Sequence, residues 1–95
     1  MVKNKTASID EQITQKRDEL TQAQITQSTA YSEYMKAMKA KLIVDEGETE
    51  KIEKLDKLMF DHFTTYQHAL EDAQKLELEL SKLEAQKYLE DILGE

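Results

Sequence analysis

Ninety-five residues hold one small domain at most, and the absence of cysteine excludes both a disulfide framework and a thiolate metal site. A charged fraction of 35% beside 39% hydrophobic residues, with two glycines and no proline, matches long helices with few turns. The net charge of −7 is uneven: residues 1–44 carry seven Lys/Arg against five Asp/Glu, and residues 45–95 carry six against fifteen. An acidic second half repels phosphate backbones and anionic lipid, so neither nucleic acid nor a membrane surface is an expected partner.

Residues 1–7 read as a flexible N-terminal arm, and residues 8–95 as a single helical-hairpin domain. No apolar core follows Lys3 and Lys5, so no signal peptide is expected. No apolar run approaches the ~18 residues of a transmembrane segment. A cytoplasmic protein, or part of a larger particle or complex, is the expected setting.

Helix 1 is predicted over about 8–44. Ser8 followed by Glu11 is a capping-box signature. Ile9, Leu20, Tyr31 and Leu42 recur every eleven residues, with Ile13, Met35 and Met38 beside them. That period is close to a straight helix and predicts a stripe on one face. Between Gln12 and Thr29 the stripe is diluted by Gln, Thr and Ser. This is low-complexity drift, or else a polar seam that fixes register.

The turn is predicted at 45–49, with Gly47 supplying a left-handed residue and Thr49 capping the next helix. Lys36, Lys39 and Lys41 favour the negative end of helix 1.

Helix 2, over about 50–93, carries the strongest pattern. In heptads, the a positions are Ile52, Met59, Tyr66, Ala73 and Leu80, and the d positions are Leu55, His62, Ala69, Leu76 and Leu83. Only His62 is neither apolar nor aromatic, which predicts a coiled-coil seam. A continuous rod in a parallel dimer competes with a hairpin. The change of period near residue 44, and the lack of an apolar residue from Asp45 to Glu50, favour the hairpin.

The predicted fold is therefore all-α, an antiparallel two-helix coiled-coil hairpin. Pairing residue i with about 93 − i puts Tyr31 opposite His62 and Tyr34 opposite Met59. The predicted hairpin core is Tyr31, Met35, Met38, Leu42, Ile52, Leu55, Met59, His62, Tyr66, Leu76, Leu80 and Leu83. Leu58, Phe63 and Leu70 flank the seam and predict self-association, two hairpins making a four-helix bundle. Tyr88, Leu89, Ile92 and Leu93 project past the start of helix 1 and form a candidate helix-in-groove ligand.

Chemistry finds little support. His62 reads as a seam histidine, or as a pH-sensitive joint, and His68 as the partner of Asp72. A di-iron site would need Glu three residues before an inward His, and those places hold Met59 and Thr65. No nucleophile elbow or phosphate-cradling loop is present. No catalytic, cofactor, metal or small-molecule site is expected. The small basic patch of Lys36, Lys39 and Lys41 reads as an ordinary helix end.

Three functions fit. The first is a non-enzymatic assembly or adaptor module that binds itself and another protein. The second is a small acidic inhibitor, of the phage or mobile-element type, that blocks a basic site. The third is a secreted helical hairpin, similar in length and architecture to the WXG type. That family's Trp-x-Gly turn has no counterpart here, because the turn reads Asp45-Glu46-Gly47-Glu48 and the chain has no tryptophan.

Overall fold

The structure, a computed structural model, describes residues 8–94, so the arm over 1–7 lies outside the described residues. Two helices, α1 (Ile9–Leu42) and α2 (Thr49–Leu93), lie antiparallel as a hairpin. The body measures 70 × 28 × 13 Å, two helices wide and one helix thick. A single layer leaves each helix with one neighbour and both broad faces in water.

The start of α1 follows the sequence signature. The Glu11 N–H donates to Ser8 Oγ at 3.1 Å, and the Ser8 N–H donates to Glu11 Oε1 at 3.0 Å. Two N–H groups that would otherwise lack partners are thereby satisfied. At the other end the helix tightens, with Ile43 N–H bonding the Ala40 carbonyl and Val44 N–H that of Lys41.

The reversal differs from expectation in two respects. Gly47 is not left-handed; the positive-φ glycine is Gly94, at 75°, which ends α2 with its N–H on the Glu90 carbonyl. The N-cap of α2 is Glu48, not Thr49. Its N–H donates to the Asp45 carbonyl at 3.0 Å, and its Oε1 accepts the Asp45 N–H at 3.2 Å. Its other carboxylate oxygen lies 2.6 Å from Lys51 Nζ. A glutamate closing on both sides of the loop makes the turn without help from a glycine.

The seam of α2 is the predicted one. All ten a and d positions from Ile52 to Leu83 are buried or half-buried, and the pattern continues to Lys87 and Glu90.

The seam of α1 corrects the eleven-residue stripe. Its buried and half-buried positions include an unbroken run of Ile9, Ile13, Lys16, Leu20, Ala23, Gln27, Ala30, Tyr34, Ala37 and Lys41, continued by Val44 just past the helix, in steps of four and three, with Gln12, Glu19, Glu33, Met35, Met38 and Ala40 half-buried beside it. Both helices thus share a heptad pitch, as two strands of one coiled coil must. Tyr31, at 47% exposed, and Leu42, at 80%, stand outside the seam, and Met35 and Met38 are half-buried beside it. Three of the seam positions are alanines, Ala23, Ala30 and Ala37, while Tyr31 and Leu42 each fall one position to the side of it.

The register also moves. Tyr31 meets Tyr66, Tyr34 meets Phe63, Lys41 meets Asp56 and Asp10 meets Lys87. Each pairing lies four residues, about one helical turn, from the 93 − i expectation. The loop over 43–48 runs out past the last turn of α1, so α2 begins beyond it.

The core is thin. Among the described residues five side chains are buried, Ile13, Ala30, Ala37, Ala69 and Ala73, and none is completely enclosed. Small seam residues let the two backbones approach closely but remove little apolar area from water, since a buried methylene contributes ~0.8 kcal/mol.

Candidate interaction surfaces

The heptad seams divide the hairpin into two flanks, which differ in character. On one flank, Arg17 Nη2 lies 3.0 Å from Glu84 Oε2, Lys41 Nζ 2.6 Å from Asp56 Oδ1, and Lys87 Nζ 2.9 Å from Asp10 Oδ1. The same flank carries a closed circuit of four rings. Tyr31 lies 5.4 Å from Tyr66 and 6.2 Å from Tyr34, and Phe63 lies 5.5 Å from Tyr34 and 5.9 Å from Tyr66, centroid to centroid. All four are within the range of favourable ring packing.

An open shelf continues from these rings, lined by Gln24, Gln27, Ser28, Tyr31, Tyr66, Leu70, Ala73, Gln74 and Glu77. Phe60, one turn before Phe63 along this edge of α2, is 71% exposed. It was not singled out from sequence, although its i, i+3 spacing with Phe63 marks a shared edge.

The opposite flank is polar. Lys16 Nζ reaches Glu79 Oε1 at 2.9 Å, with Glu19, Gln22, Thr26 and Asp72 along the same groove. The hydrogen bond to Glu79 holds the Lys16 ammonium above its ordinary value, and the same bond holds the Glu79 carboxyl below its own. Both side chains are about one-third exposed, so the pair guides register more than it stabilises.

The three residues expected to drive self-association therefore part company. Phe63 and Leu70 lie on the ring-bearing flank, whereas Leu58 falls at a g position on the polar one. Tyr88, Leu89, Ile92 and Leu93 do stay together, each more than half exposed. Lys87 and Glu90 take the seam positions at their level, which turns the apolar four toward the outside of α2, behind Leu78.

His62 is half-buried in the seam, but Tyr31 meets Tyr66 in its place. Among the described residues no ion pair joins His68 to Asp72, and no group of three or more His, Cys, Asp or Glu could hold a metal ion. No helix among them is long and apolar enough to cross a membrane. The basic patch near Tyr34 is partly neutralised, Lys36 by Glu33 at 2.9 Å and Lys41 by Asp56.

No protein-family model matches this chain, and neither the curated proteins nor the solved structures contain a significant match.

Proposed function

We propose that this chain is a non-enzymatic protein–protein interaction module, a small helical assembly or adaptor subunit that self-associates and docks a second protein. One observation carries the reading: outside the seam, large apolar side chains stand exposed in two separate groups. Phe60 and Tyr31 belong to the ring-bearing flank, and Tyr88, Leu89, Ile92 and Leu93 to the outer side of α2. Contiguous apolar surface of this kind marks an interface in a soluble chain. Two surfaces facing different directions support two kinds of contact, one with a copy and one with another protein. Cytoplasm or a larger particle remains the proposed setting, on composition alone.

Affinity purification from the native source, read by mass spectrometry, tests the docking half. The wild-type chain should retain a partner that the double variant Leu89→Ala, Ile92→Ala loses, with helicity unchanged. Retention should hardly respond to salt. A partner that the double variant keeps, or that rising salt strips away, would point instead to the acidic inhibitor reading.

A further inference from the structure

We infer that a second copy of this chain covers the ring-bearing flank, with both turns at the same end, so that each α1 lies against the partner's α2. This rests on the self-association reading and adds its surface and its geometry.

Area is the first support. Phe60 is 71% exposed, Tyr31 47% and Phe63 39%, with Leu70, Met35 and Leu42 around them. Together they expose on the order of 600 Å² per chain, about three-quarters of the ~800 Å² that each partner gives to a standard interface. Along the middle of the hairpin the polar flank offers a single exposed leucine, Leu58, among Lys, Asp, Glu, Gln and Thr, and its other exposed apolar residues, Ile43, Leu89 and Leu93, stand at the ends of the hairpin. The thin seam gives the second support. A hairpin with no fully enclosed side chain lacks the core that a chain of this size needs, and a second layer would supply it.

Charge selects the arrangement. At the e and b positions of α2, which edge this flank, stand Glu53, Asp56, Glu77, Glu84 and Asp91, with no Lys or Arg. The corresponding positions of α1 hold one Asp10 and one Arg17. Turning the second copy end over end would lay α2 on α2 and bring like charges together. Keeping both turns at one end lays acidic α2 on neutral α1.

Light scattering on the full chain, with one spin label per chain at Asp18→Cys, tests both parts. The wild type should show twice its 11.0 kDa chain mass. Phe60→Glu should weaken association about tenfold or more. Phe60→Gln should do so less, and Leu58→Glu should not, all with unchanged helicity. The labels should lie about 20–30 Å apart, the width of a four-helix bundle, against about 50 Å end over end. A wild type at single-chain mass would overturn self-association altogether. A dimer that tolerates Phe60→Glu but not Leu58→Glu would leave self-association standing and overturn this surface. Labels near 50 Å would overturn the same-end arrangement.

Discussion

The rings of Tyr31 and Tyr66 lie 5.4 Å apart across the two helices and anchor a circuit completed by Tyr34 and Phe63. Tyr66 occupies a seam position, so its ring supports both the helix pair and the flank beside it. Tyr66→Ala should lower unfolding free energy by about 2–3 kcal/mol, below the full-burial cost because the ring is half-exposed, and Tyr66→Leu by less than half of that. Urea denaturation by circular dichroism measures both, and an unchanged midpoint for the alanine variant would contradict the circuit.

Ala30 and Ala73, both at seam positions, are only 5% and 4% exposed, so little free space surrounds their methyl groups. Ala30→Leu and Ala73→Leu should each cost about 1–3 kcal/mol, since larger side chains must push the helices apart. The eleven-residue stripe predicts no such penalty at Ala30. Thermal unfolding of the two variants separates the two patterns.

Gly47 is outside the left-handed region, and a methyl group added there would meet nothing within 4 Å. Gly47→Ala should therefore raise stability by about 0.4–1 kcal/mol by restricting the unfolded chain. A loss of stability in the same urea assay would mean that the turn needs its glycine after all.

Titration should reveal the cross-helix pair on the polar flank. The Lys16 hydrogen bond depresses the Glu79 carboxyl, and a bond from Lys51 followed by the Asp45 N–H depresses that of Glu48. A depressed carboxyl contributes stability above its unfolded value, and that contribution is lost as pH falls through the lower folded value. The raised Lys16 ammonium contributes below its unfolded value of 10.5 and loses that contribution as pH rises through the folded one. Both contributions are complete near neutral pH. Carboxyl-carbon NMR should place Glu79 below 4.5, and Lys16→Met should return it toward that value.

Much of the hairpin was legible because α2 carries its seam in large residues. Ile52, Leu55, Met59, Leu76, Leu80 and Leu83 state a heptad seam, and Ser8 with Glu11 states a helix start. The α1 seam was not legible in the same way. Its repeat is written in Ala23, Ala30 and Ala37, interrupted by Lys16, Gln27 and Lys41, while Tyr31 and Leu42 draw attention to a neighbouring stripe. A pattern that weights residues by hydrophobic size misses a seam chosen for close approach. The period change once favouring the hairpin is thus absent, and the polar loop alone accounts for the reversal. Register escaped for a related reason: the loop over 43–48 extends past α1, and its length alone does not say how far. Of the candidate surfaces, the C-terminal four were visible as one face, whereas placing Leu58 apart from Phe63 required both seams.

Spin labels at Thr21→Cys and Gln74→Cys, exposed positions near the same level of the two helices, measure the chain reversal directly. Diluted with unlabelled chain, they should lie within about 25 Å, given axes 8–10 Å apart and labels of ordinary length. A separation near 80 Å, the span of those 53 residues along one unbroken helix at ~1.5 Å each, would contradict the hairpin and every surface derived from it.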